Sequence, residues 1–187
     1  MKKFIALVAL VLVSASTLMY AQESQRDIRR ADRKAQRDAE RARLKAEEQA
    51  ADQVAYQQAV QAIKDKQFVL EADQVIFKRG QTAFVSSNTN FVMLNGQRAT
   101  VQVAFNTPYP GPNGIGGVKV TTDKRGNVNC NFSVQGIGIS AQVFITLTNG
   151  GNNATVTINP NFNSNTLTLS GNLVPLNQSD VFKGRSW

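Results

Sequence analysis

The sequence predicts a mainly β protein: an antiparallel β-sandwich or partly open barrel of about eight strands, preceded by a signal peptide and a charged N-terminal α-helix. Three observations carry that reading. From Phe68 onward, apolar residues recur at every second position, most clearly at Ile137, Ile139, Ala141, Val143, Ile145 and Leu147. Successive side chains on a strand point to opposite faces, so this period of two builds one apolar and one polar face. Turn-forming clusters separate such runs, among them Asn95-Gly96, Asp123-Lys124-Arg125-Gly126 and Asn149-Gly150-Gly151. Residues 22–66, in contrast, contain neither Gly nor Pro and are rich in Ala, Gln, Arg, Asp, Glu and Lys, most of which favour helix.

Residues 1–21 read as a secretory signal peptide. Lys2 and Lys3 form the charged start, Phe4 to Val13 the apolar run, and small residues follow. Cleavage is expected after Ala21, leaving Gln22 as the first mature residue. The apolar run is short for a bilayer crossing, so no transmembrane span is expected after cleavage. No cysteine ends the leader, which excludes lipidation there. The expected location is the periplasm, the cell envelope or the medium.

Residues 22–66 form the second part, a charged helical segment. Ile28, Ala31, Ala35, Ala39, Ala42, Ala46 and Ala50 make a stripe at spacings of three and four. A stable helix-pairing seam wants Leu, Ile or Val at such positions. Arg29, Arg33, Arg37, Arg41 and Lys45 recur every four residues, offset by Asp27, Asp32, Asp38 and Glu40. Tyr56, Val60 and Ile63 share a later helical face. That face is expected to dock on the β domain and to cover Phe144.

The β domain spans residues 67–187. Phe68, Leu70 and Ala72 share one face of its first strand, with Glu71 and Asp73 opposite. Lys78-Arg79-Gly80 makes a turn, and a short run follows at Ala83 to Val85. An Asn95-Gly96 turn would pair Leu94 with Gln97, Val92 with Ala99 and Asn90 with Val101. Val92, Leu94, Ala99, Val101, Val103 and Phe105 then fall on one side. Three prolines and four glycines in residues 106–117 predict an irregular loop, with the next strand starting near Val118. Val128, Cys130, Phe132 and Val134 share a face, as do Ala154, Val156 and Ile158, and then Leu167, Leu169 and Leu173.

Charge excludes one large class of function. The formal net charge is +8, but it is spread thinly. Residues 22–66 carry 11 basic and 9 acidic side chains, and residues 67–187 carry 8 and 4. Those balances suit solubility, so no nucleic-acid partner is expected. From Asn127 to Ser179 there is no Asp, Glu, Lys or Arg. The non-core faces there are Thr, Asn, Ser and Gln, a neutral hydrogen-bonding surface suited to a protein, a glycan or a second copy of the chain.

Catalytic chemistry is scarce. The chain has no histidine, which removes His-based triads and the common zinc sites. The single cysteine, Cys130, lies on an apolar strand face and reads as core. Glu71 and Asp73 would stand about 7 Å apart on one strand face, a separation that suits a glycosidase pair and equally an exposed polar face. No catalytic residue, cofactor or metal ligand is assigned.

Pro108, Tyr109 and Gly111, then Gly116 and Gly117, then Ser170 and Gly171 resemble the motifs of the secreted Bacteroidetes proteins of domain of unknown function family 4251. Thr107 and Pro110 depart from the family pattern, which has Leu and an aromatic there. The resemblance covers roughly residues 50–176 and implies an exported β domain with no assigned activity.

The resulting expectation is a non-catalytic binding or assembly module. Its contacts would be Tyr109, Asn113 and Ile115 on the long loop, and Phe144 on the outer face of the strand running to Leu147. The alternatives are an envelope protein that oligomerises through its helical arm, and a glycan hydrolase using Glu71 and Asp73.

Overall fold

The computed structural model describes residues 2–103, 113–136, 139–162 and 165–181 of the 187-residue chain, with side chains from residue 26 onward, residue 27 excepted. The chain divides into two units, Met1–Glu48 and Gln49–Trp187. The first is helical from Lys2, and its described side chains are exposed. The second holds the last turns of the same helix, α1 (Lys2–Asp65), and all the described strands. The absence of Gly and Pro lets α1 run unbroken.

α1 ends where Lys66 takes a left-handed conformation, φ 57°. The Lys66 amide donates back to the Ile63 carbonyl at 3.1 Å, and its carbonyl accepts from the Gly96 amide at 2.8 Å. This reversal closes the helix and feeds the chain straight into β1 (Gln67–Phe77).

The strands that follow are β2 (Thr82–Phe84), β3 (Phe91–Asn95), β4 (Arg98–Gln102), β5 (Asn113–Thr122) and β6 (Val128–Gly136). Then come β7 (Ile139–Leu147), β8 (Asn153–Pro160) and β9 (Leu167–Pro175). All pair antiparallel, in the order β2-β1-β3-β4-β5-β6-β7-β8-β9. β9 also pairs back to β1 from Phe68↔Pro175 to Phe77↔Leu167. That pairing turns the sheet into a closed eight-stranded barrel, with β2 an added strand on the far part of β1. The architecture is thus neither a sandwich nor a partly open barrel.

Closure depends on a bulge. The β1–β9 register shifts between Ala72 and Gln74. Inward residues on β1 accordingly run Phe68, Leu70, Ala72 and then Val75, a change of parity. Gly171 sits opposite Ala72, and a Cβ there would run into the Glu71 carbonyl. Glycine is the residue that lets the two backbones meet at this seam.

Inside the barrel, Leu94, Phe132, Val143, Ile145, Leu147, Val156, Leu169 and Leu173 belong to one buried cluster. Asn129, Asn131 and Ser133 alternate with inward Val128, Cys130, Phe132 and Val134 on β6. The polar face is outside, the reverse of a lipid-facing barrel. One end of the interior is closed by the helix: Ala59, Ala62 and Ile63 join the buried cluster, with Tyr56 and Val60 packed against it. The Tyr56 hydroxyl donates to the Gly126 carbonyl in the β5–β6 turn. The expected docking of this helical face therefore holds, but its target is the barrel's inner end rather than Phe144.

A second, outer cluster forms where the chain leaves β9. Val181 is buried with Val69 and Phe91, with Met93, Val174 and Leu176 packed around them. The Ser179 hydroxyl donates to the Glu71 carboxylate at 2.7 Å. Few period-two residues mark the segment after Asn177, yet Ser179 and Val181 pack on the outer wall.

Two expected details shift. In the β3–β4 hairpin Leu94 pairs with Ala99 and Asn95 with Arg98, so the two turn residues are Gly96 and Gln97. Gly96 has φ 61° and Gln97 is not among the positive-φ residues, as in a turn with Gly at its first central position. The partner moves by two residues, so the faces stay as expected. β5 begins at Asn113, not near Val118. Gly116 and Gly117 lie within it, and the register shift between Gly116 and Lys119, with Gly117 at φ 65°, marks a second bulge.

Candidate functional site

The described residues leave space at the end of the barrel opposite the helix. Large residues such as Phe68, Phe132 and Ile145 are fully buried in the interior, while the mouth is lined by smaller Val101, Val103 and Ala141 with Ile158. β4 pairs with β5 only at Arg98↔Gly114 and Ala99↔Asn113. Val101 and Val103 therefore lie beyond the last β4–β5 pair. The result is a cavity of about 1080 Å³, at the upper end of the size range of small-molecule sites.

The side wall is built from strand ends. Ile139 opens β7, Pro160 closes β8, and Leu167 opens β9. Phe77 closes β1, and Phe162 stands just after β8, 76% exposed. The polar side chains of the lining are Ser140, Asn165 and Thr166 on the β7–β9 side, and Lys78, Arg79 and Gln81 on the β1–β2 turn. That turn is set by Gly80 at φ 79°. The Phe77 amide donates to the Gln81 carbonyl, and the Gly80 amide to the Phe77 carbonyl, each at 2.8 Å. No carboxylate or thiol occurs among the described lining residues.

The sequence-predicted contacts are not brought together. Asn113 is buried at the start of β5, and its side chain lies against Gly136, a residue of the cavity wall. Ile115 is half-buried and packs on the core, opposite Val134. Phe144 is 41% exposed on the outer face of β7, between Asn131 and Thr157 on the neighbouring strands. Tyr109 lies outside the described residues, as do Phe105, Pro108, Gly111 and Ile137.

Asp73 falls at the β1 register shift and is exposed, while Glu71 is half-buried on the same strand. Glu71 accepts from Ser179 beneath the C-terminal segment, and neither acid lines the cavity. Cys130 is buried inside the barrel, and burial pushes its thiol up to about 11, which holds it in the unreactive form. Among the described residues no group of three His, Cys, Asp or Glu side chains could hold a metal ion.

Lys78 and Arg79 were legible only as turn residues. The available signal was two adjacent bases with no acid in the following 43 residues, since the next acid after Asp73 is Asp123. The apolar mouth residues look like ordinary core in sequence, because a strand end and a strand middle share the same alternation.

Comparison with known proteins gives the family and no activity. Domain of unknown function DUF4251 matches residues 50–173. A crystal structure of a DUF4251 family protein from Bacteroides eggerthii DSM 20697 is similar at 68% identity, over 74% of this chain and 99% of that one, with a TM-score of 0.66. No curated protein matches. With two-thirds of its length matched and an eight-stranded barrel behind the match, the chain belongs to the DUF4251 family.

Proposed function

We propose that this protein is an exported, non-catalytic binding module that takes an apolar small molecule into the open end of its barrel. The observation that carries the reading is the cavity of about 1080 Å³ floored by Val101, Ala141 and Ile158. Eight-stranded barrels are just wide enough to hold one small ligand. Here the helix fills one end, and the described residues line the other with both apolar and polar side chains. The described lining offers contact surface, hydroxyls, amides and cations but no carboxylate, imidazole or thiol, which favours binding over turnover. A concave site also favours a small molecule over the protein, glycan or self-association expected from the charge-free face alone.

A neutral fluorescent probe, N-phenyl-1-naphthylamine, tests the cavity. The protein is expected to bind it with saturable enhancement of emission. Val101→Phe and Ile158→Trp fill the space and are expected to weaken binding at least tenfold, with unfolding midpoints kept within a few degrees. Undiminished probe binding by both variants would overturn the reading.

Export rests on the leader-like residues 1–21. Expression of the full chain in a Gram-negative host, followed by N-terminal sequencing, is expected to give Gln22 as the first residue in the periplasmic fraction. Protein that keeps Met1 and stays in the cytoplasm would remove export from the proposal.

A further inference from the structure

The mouth of the cavity carries charge as well as apolar surface. Building on the proposal that the cavity binds a small molecule, we infer that this ligand is a single-chain amphiphilic anion, a fatty-acid-like molecule whose tail fills the barrel end and whose head meets Lys78 and Arg79. The two cations sit side by side in the β1–β2 turn and line the cavity together with apolar residues and the neutral polar Gln81, Ser140, Asn165 and Thr166. Their backbone is held by the two 2.8 Å turn hydrogen bonds, so the bases are presented by an ordered loop.

Among the described residues neither Lys78 nor Arg79 has an ion-pair partner. The rest of the described wall, from Leu167 beside Phe77 through β8 to β7, is uncharged, as is every residue from Asn127 to Ser179. A pair of cations beside an uncharged wall favours an anion over a neutral or cationic head. Arg79 offers a planar fork that fits a carboxylate with two parallel hydrogen bonds, and Lys78 adds a point charge. Ser140 and Thr166, also in the lining, can donate hydroxyl hydrogen bonds to the same head.

The floor sets the rest of the ligand. Val101, Ala141 and Ile158 carry no polar side-chain atoms, so a ligand polar along its length would lose hydrogen bonds on entry. A polar head with an unbranched apolar tail meets both halves of the site. A volume of about 1080 Å³ exceeds what a small inorganic anion needs, and the site is a pocket rather than a surface patch of bases.

Calorimetric titration of the full chain with decanoate, decanol and decyltrimethylammonium, all at submicellar concentration, tests this. Decanoate is expected to bind at least tenfold more tightly than decanol, and the ammonium compound more weakly than either. The double variant Lys78→Gln/Arg79→Gln is expected to bring decanoate to the level of decanol while leaving decanol and the neutral probe unchanged. Lys78→Glu/Arg79→Glu is expected to reverse the preference toward the ammonium compound. Decanol binding as well as decanoate, or decanoate binding unaffected by both double variants, would overturn the anionic head while leaving the apolar cavity intact. Failure of all three ten-carbon compounds and of the neutral probe would overturn both readings.

Discussion

At the scale of single residues, the best-defined polar structure lies at the helix-closed end. Asp123 caps the β5–β6 turn. One carboxylate oxygen accepts from the amides of Arg125 and Asn127 at 2.8 and 2.9 Å, and the other accepts from the Asn127 side chain at 2.8 Å. Asn127 then accepts from the Asn149 amide at 3.0 Å, tying this turn to the next hairpin. These hydrogen bonds, the Asn127 side chain first, hold the Asp123 carboxyl below its ordinary value of 3.8. A depressed folded-state value means the contribution is complete above the unfolded-chain value and is lost as pH falls toward the folded one. Asp123→Asn is therefore expected to lower the urea midpoint at pH 7 and to flatten its decline below about pH 4. Equal acid slopes for the two proteins would show that the turn carries no such linkage. The turn is legible in the sequence from Asp and Gly alone, as is the place of Cys130 in the core. The Asn149 bridge is not, because partners 22 residues apart carry no local signal.

At the scale of elements, the last turns of α1 act as the barrel's stopper. Ile63 is fully buried, Ala59 and Ala62 lie beside it, and Tyr56 reaches the Gly126 carbonyl. The i, i+4, i+7 spacing of Tyr56, Val60 and Ile63 makes this face legible. Its target is not, since periodicity shows that a face is apolar but not which surface receives it. Phe144 was the wrong partner because it lies on the outer wall while the helix enters from the end. Ile63→Ala is expected to cost about 2–4 kcal/mol by leaving a void at the stopper. Tyr56→Phe removes one hydrogen bond and is expected to cost roughly 1 kcal/mol. Chemical denaturation checks both, and a loss below about 1 kcal/mol for Ile63→Ala would mean that the helix only rests against the barrel. The hairpins show the converse case. Their inward faces were readable from alternation, whereas the bulges at Ala72/Gln74 and Gly116/Lys119 changed local parity without a local sign beyond glycine.

At the scale of the whole molecule, the decisive feature is the contact between the first long strand and the last. One apolar face per strand satisfies a sandwich and a barrel equally, so sequence patterning left that choice open. The choice is made at β1, whose residues Phe68–Phe77 pair with β9 while Gln67–Glu71 also pair with β3. Both edges of β1 are thereby consumed, and the barrel has no free edge along that stretch. The site depends on this closure: Phe77 and Leu167, paired at the far end of the seam, both line the cavity, and Lys78 and Arg79 follow directly. Gly171 is where the seam is tightest, since a Cβ there would strike the Glu71 carbonyl and lie 2.8 Å from the Ala72 Cα. Those are backbone atoms, so relief requires moving β1 away from β9. Gly171→Ala is expected to destabilise by about 1–3 kcal/mol or more, as overpacking does. Hydrogen exchange is expected to accelerate in β1 and β9 first, while the β6–β7 hairpin with its nine pairs keeps its protection. Gly151→Ala is the control, because its Cβ would meet only the Asn153 side chain at an ordinary 3.7 Å, and a change within about 0.5 kcal/mol is expected there. The neutral probe should then bind the Gly151 variant as it binds the parent chain and the Gly171 variant less well. Equal stability of the two variants would mean that the seam is loose and that the mouth is held by the remaining strand pairings instead.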